Sequence, residues 1–182
     1  SLSDGIAYDY AERNKLIKST HNFEDDILSS AQNISGRYQG SHSISDTLVS
    51  VSLEIYDSMK KVHGLSKRDR LLLQLAARLR DVGKYVSMGS PAEVSYSIIM
   101  GTEIIGISHM EREMVAIIVM NSYPKEIDYS DFSSEDLDQK AYLTVVKLTA
   151  ILRVASGLAR NAKKKYENLH CSVKDRELVI SV

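Results

Sequence analysis

The sequence predicts an all-α fold, a bundle of about six helices finished by a short β-hairpin. Three observations carry this. Serines stand three residues ahead of a carboxylate at five places, each just before an apolar-periodic stretch. Glycines follow several of those stretches. Near the C-terminal end the apolar period falls from three and four to two, the change from a helix to a strand.

The elements follow in order. A first helix is read over 21–38. The second, 44–63, opens at Ser43-Ile44-Ser45-Asp46 and stops at Gly64. The third, 67–82, opens at Ser66-Lys67-Arg68-Asp69 and stops at Gly83. Its Leu71, Leu72, Leu75, Leu79 and Val82 make the stripe of a core-facing helix. The fourth, 91–105, has Ser90 before Pro91 and Glu93, with Gly106 after it. Proline at the first helical position loses no bond, because that N–H has no partner inside the helix. The fifth, 109–122, opens at Ser108-His109-Met110-Glu111 and carries Val115, Ile118 and Val119. The sixth, 136–160, follows Ser133-Ser134-Glu135-Asp136. In each start the hydroxyl caps the third helical amide, and the carboxylate bonds back or favours the positive helix end. A glycine past a helix end takes the left-handed cap at no steric cost.

Cys171-Ser172-Val173 and Leu178-Val179-Ile180-Ser181-Val182 flank the polar Lys174-Asp175-Arg176-Glu177 and read as the hairpin. A lone hairpin is marginal in water, so it is expected to pack on the helices or on further chain. The expected organisation is a junction over 1–15, the tail of a preceding domain, then the helical domain over 16–162. Residues 163–182 then open a hairpin region that the chain end truncates.

Composition narrows the function. The 182 residues amount to a little over one ordinary domain, long enough for one real core. With 23 basic and 24 acidic side chains the net charge is −1, which speaks against a general nucleic-acid coat or an acidic tail. One cysteine, Cys171, excludes an internal disulfide and fits a reducing, cytoplasmic setting. The longest purely apolar run, Met114 to Met120, is far short of the ~20 residues that span a bilayer, so no membrane partner is expected. No P-loop, G-x-G-x-x-G or G-x-S-x-G pattern occurs. His21, His63, His109 and His170 show no metal-ligand spacing.

Three segments together resemble one family. Ser1-Leu2-Ser3-Asp4-Gly5-Ile6 is similar to the segment that closes the phosphatase domain of the exopolyphosphatase and guanosine pentaphosphate phosphatase family. Leu75-Ala76-Ala77-Arg78-Leu79-Arg80-Asp81-Val82-Gly83 is similar to its "A-A-x-L-H-D-I-G" segment. Leu152-Arg153-Val154-Ala155-Ser156-Gly157-Leu158-Ala159, then Lys165-Tyr166-Glu167-Asn168-Leu169, is similar to "L-R-I-A-D-x-L-D" followed by "E-N-L". The resemblance implies the family's C-terminal, HD-like helical domain. It implies a parent that removes terminal phosphates from polyphosphate or pppGpp with Mg²⁺, its catalytic carboxylates lying upstream of Ser1. The expected partners are polyphosphate or pppGpp, the chain's own N-terminal domain and a second copy in a homodimer.

An HD metal site needs a His, a His-Asp pair and a distal Asp, all with lone pairs for a dication. By the resemblance those positions fall at Thr47, Arg80, Asp81 and Ser156, so only Asp81 is a ligand type. A guanidinium has no lone pair and keeps its charge. A working metal centre is therefore not expected and no catalytic residue is assigned, with His42 the one candidate for a displaced ligand. Either Arg80 places a fixed cation beside Asp81, or it lies at an exposed helix end where the dipole favours it.

Basic residues group at Arg80 and Lys84, and again at Arg153, Arg160, Lys163, Lys164 and Lys165. Lysine and arginine in such groups suit phosphate, and the ordinary alternative is a solvated face. Three functions stay open at this point: a polyanion-binding accessory domain, a stand-alone divergent HD phosphohydrolase, and a purely structural dimerisation domain.

Overall fold

The apolar stripes fold into seven α-helices among the described residues of the computed structural model, which are 23–38, 43–125, 129–132, 137–160, 170–174 and 177–181. They are α1 Phe23–Tyr38, α2 Ser43–Ser58, α3 Lys60–His63, α4 Lys67–Leu79, α5 Pro91–Gly101, α6 His109–Asn121 and α7 Gln139–Arg160. Two 3₁₀ turns, Val82–Tyr85 and Tyr129–Phe132, follow α4 and α6, and the chain closes in β1 His170–Lys174 and β2 Glu177–Ser181.

Two of the five serine-led starts form full capping boxes. The Ser66 hydroxyl accepts from the Asp69 amide and the Asp69 carboxylate accepts from the Ser66 amide at 2.7 Å. Ser108 and Glu111 do the same at the start of α6. Ser90 caps by position only, since its side chain makes no cap hydrogen bond although Pro91 opens α5. The side chain of Ser43, and Ser133 altogether, lie outside the described residues, as do the junction over 1–15 and His21 and His42.

Three helices stop earlier than the sequence predicts. The helix read over 44–63 divides at Met59. The His63 ring explains the break. Its Nδ1 accepts from the Leu65 amide at 2.9 Å, so its Nε2–H donates to the Tyr56 carbonyl at 2.8 Å. Gly64 then takes the expected left-handed cap at φ 65°. The helix read to 82 ends at Leu79, and Gly83 is not a left-handed cap but part of the 3₁₀ turn. Gly83 is needed for closeness: a Cβ there would lie 2.5 Å from the Ser95 amide nitrogen. The helix read to 105 ends at Gly101, and Gly106, at φ 96°, belongs to the following turn.

The core is built around α4, in which Leu71, Leu72, Leu73, Leu75, Ala76, Ala77 and Leu79 are all buried. It packs on α2, α6, α1 and α7. Arg68 fastens its first turn to α6: Nε and Nη2 grip the Glu111 carboxylate at 2.6 and 2.9 Å, and Nη2 also reaches the Gly106 carbonyl. That hydrogen bond holds the Glu111 carboxyl below the usual carboxylate range. Arg78 ties the other end to α2 through Ser45 and Asp46. Helix α7 is long and apolar enough, by length and composition, to cross a membrane. Half of its apolar window is nonetheless buried, with Ala141, Val145, Leu148, Leu152 and Ala155 recurring at three and four against the bundle.

The hairpin is antiparallel, His170 opposite Ser181 and Lys174 opposite Glu177. Alternation is strict, with Cys171, Val173, Leu178 and Ile180 half-buried and the residues between them exposed. Cys171, Leu178 and Ile180 pack on the core, as a marginal hairpin requires, and burial pushes the Cys171 thiol up.

Candidate functional site

Helix α4 ends at Leu79, so Arg80 and Asp81 fall in the turn between α4 and the 3₁₀ segment. That turn faces inward, and Arg80 is only 5% exposed. The exposed-helix-end reading of Arg80 does not hold. Its Nη1 donates to Asp81 Oδ1 at 2.7 Å, its Nε donates to Ser122 Oγ at 3.1 Å, and its Nη2 lies 3.4 Å from the Ser122 carbonyl. The guanidinium carbon stands 4.2 Å from the centre of the Tyr123 ring, a cation–π contact. The Arg80 carbonyl accepts from Ser95 Oγ at 3.0 Å and from the Tyr123 hydroxyl at 2.7 Å. Both ends of Arg80 are therefore held, by α5 on one side and by the end of α6 on the other.

Asp81 is equally occupied. Its second oxygen pairs with Lys84 Nζ at 2.9 Å, and the Tyr123 hydroxyl stands 3.1 Å from the first. Burial, and then the Asp81 charge, drive the Tyr123 phenol well above its ordinary range, so it stays a neutral donor. A carboxylate with a cation on each oxygen has little left for a dication. Among the described residues no three His, Cys, Asp or Glu side chains gather as a possible ligand set. Thr47, Arg80, Asp81 and Ser156, the described residues at the HD-like positions, do not make a ligand set for a metal ion.

A cleft of about 390 Å³ opens next to this cluster, between the end of α6 and the last turns of α7. Ser122, Pro124, Arg153, Ser156, Gly157 and Arg160 line it. Ser122 is the joint, since its hydroxyl accepts from Arg80 and donates to the Val119 carbonyl at 2.7 Å. Arg153 Nη2 donates to the Lys125 carbonyl at 3.2 Å, which holds that side chain along the rim. Ser156 is buried, and its Oγ has no hydrogen-bond partner among the described residues. Arg160, in the last turn of α7, is exposed.

Of the positions singled out from sequence, the fold brings Arg80, Asp81 and Lys84 into one cluster and Arg153, Ser156 and Arg160 into one cleft. Thr47, half-buried near the start of α2, is in neither group. Lys163, Lys164 and Lys165 lie outside the described residues. Sequence reasoning missed Ser95, Ser122 and Tyr123. The only signal near the last two is Pro124, which marks the end of α6 without saying what its final residues touch.

No curated protein matches the chain. Residues 28–181 match the family described as Ppx/GppA phosphatase, domain III, and the helical bundle agrees with that domain, which is helical. The match covers most of the 182 residues, and so the chain belongs to the Ppx/GppA phosphatase family as its domain III, an accessory domain of an exopolyphosphatase-like protein.

Proposed function

We propose that this domain binds phosphate polyanion, polyphosphate or pppGpp, and does no metal-dependent hydrolysis of its own. Hydrolysis, with its Mg²⁺, then belongs to the actin-like catalytic domain of the parent protein. One observation supports the non-hydrolytic part above others: Asp81, the sole ligand-type residue at the HD-like positions, is paired with both Arg80 and Lys84. The binding part is supported by the two arginines that share a cleft. Helix α7 carries Lys140, Lys147, Arg153 and Arg160 and no acidic residue, so its surface is locally cationic in a chain of net charge −1. Arginine suits phosphate through its planar fork of donors.

Filter-binding of labelled polyphosphate to the 182-residue chain tests this. Binding is expected to be saturable and to weaken steeply with salt, because each neutralised phosphate releases counterions. Replacing Arg153 and Arg160 together by glutamine is expected to reduce it about tenfold or more, the loss of two charge-assisted contacts. Absence of saturable binding contradicts the proposal.

A second reading, self-association, has one observation in its favour. A mainly apolar groove of about 310 Å³ runs between α2, α3, α7 and β2, with Val62 and Val154 exposed on it. Light scattering across a concentration series decides whether two copies meet.

A further inference from the structure

We propose that His63 is a pH-operated latch: as a neutral ring it closes the turn 63–66 between α2, α4 and α7, and a second ring proton opens that turn. Nothing in this depends on anion binding. Both ring nitrogens are committed to backbone groups of fixed character. The Leu65 N–H can only donate, so Nδ1, 2.9 Å away, is an acceptor. The Tyr56 carbonyl can only accept, so Nε2, 2.8 Å away, carries the proton. The residue is only 6% exposed, so water does not replace either partner while the turn is closed. A second proton would go to Nδ1 and make it a donor aimed at another donor. The charged ring and the closed turn therefore exclude each other.

The turn holds its surroundings as well. The His63 carbonyl accepts from Lys147 Nζ of α7 at 2.8 Å, and the Ser66 carbonyl accepts from the Tyr56 hydroxyl of α2 at 2.8 Å. It also stands between two grooves that share Lys147. One is the mainly apolar groove of about 310 Å³ beside Val62 and Val154; the other, of about 580 Å³, has Gly64, Leu65 and Ser66 in its wall. Opening the turn frees Lys147 and removes the wall between them. Among the described residues, the groups around His63 do not rescue an imidazolium. Asp57 of α2 acts on the ring, but Arg70 of α4 takes both its oxygens, at 2.8 and 2.7 Å. Asp69 of α4 is spent on the Ser66 cap. Lys60 of α3 and Lys147 of α7 are cations and oppose a further one. Strand β2 presents the apolar Leu178. The Tyr56 ring centre lies 4.2 Å from that of the imidazole, and burial pushes its phenol up to about 12, so it stays uncharged. An aromatic face favours a cation, but it does not supply the acceptor that a protonated Nδ1 would need.

The test follows exchange of the Leu65 amide by NMR in the 182-residue chain, with the intrinsic pH dependence of exchange divided out. It runs from about pH 8 to about pH 5, the span in which histidine is the ordinary side chain that changes charge. The open turn holds one proton more than the closed one, so acid favours it. The opening constant rises about tenfold for each pH unit below the free-imidazole range near 6.5. Protection of Leu65 is expected to be flat above that range and to fall at that rate below it. His63→Asn keeps an acceptor for the Leu65 amide and does not titrate, so its protection is expected to stay flat throughout. Long-range proton–nitrogen spectra of the ring in the parent chain need no variant. They are expected to show the proton on Nε2 at the alkaline end, and the second proton arriving in step with the loss of Leu65 protection. Flat protection in the parent chain overturns the proposal. So does a ring that gains its second proton while Leu65 stays protected, or protection that falls equally in His63→Asn.

Discussion

Arg80 is a buried cation held on every side. A buried guanidinium is stable only where its donors and charge are met, and here Asp81, Ser122 and the Tyr123 face meet them. Removing one member of a buried pair leaves the other uncompensated, which typically costs about 3–5 kcal/mol. Lys84, nearly half exposed, keeps some compensation for Asp81. Arg80→Ala is therefore expected to cost about 3 kcal/mol of unfolding free energy, the low end of that range. Lys84→Ala is expected to cost under about 1 kcal/mol, as for exposed pairs. Urea denaturation of the two variants checks the ranking, and equal costs would mean that burial does not set it. The sequence makes the pair visible because Arg80 departs from a motif that Asp81 keeps. It left the orientation of Arg80 open, since that depends on where α4 ends and on which residues of α6 come near.

At the level of elements, the capping residues did most of the work that the sequence could show. Ser66 and Ser108 placed the starts of α4 and α6, because a cap is a local bond between residues three apart. Helix ends were less legible. In sequence Gly83 and Gly106 look like caps for α4 and α5, but those helices end earlier and the glycines serve contacts made by the fold. Gly83 meets Ser95 and the Pro91 carbonyl on α5, and such packing has no local signature. Gly83→Ala is thus expected to lower stability by about 1–3 kcal/mol or more, as for overpacked sites that backbone atoms line. Gly157→Ala, with open space around it, is expected to be neutral or stabilising on helix propensity. Thermal melts of both variants distinguish the cases.

The link between α4 and α6 makes a second prediction at this scale, in pH. Glu111 is held below its ordinary carboxylate range by the hydrogen bond from Arg68. A group with a depressed folded value adds stability above its unfolded value and loses it as pH falls through the folded one. The Arg68–Glu111 contribution is expected in full at neutral pH and to vanish in acid, below the ordinary glutamate range near 4.3. Unfolding free energy measured between neutral and acid pH should fall less steeply in Glu111→Gln than in the parent chain. Parallel curves would show that Glu111 does not carry the linkage.

For the whole molecule, a net charge of −1 conceals how the charges are distributed. Acidic side chains are drawn into pairs with Arg68, Arg70, Arg78 and Arg80, while α7 keeps Arg153 and Arg160 beside a cleft. The bundle, its hairpin and the helical class could be read from periodicity. The cleft could not, because Ser122 and Ser156 stand far apart in sequence and meet only through the packing of α6 on α7. On the function proposed above, the domain holds anions and not dications. Titration of Mn²⁺ into the 182-residue chain, followed by electron paramagnetic resonance, tests that most directly. The account predicts no stoichiometric uptake, in the parent chain and in Asp81→Asn alike. One tightly held ion per chain, lost in Asp81→Asn, would contradict it.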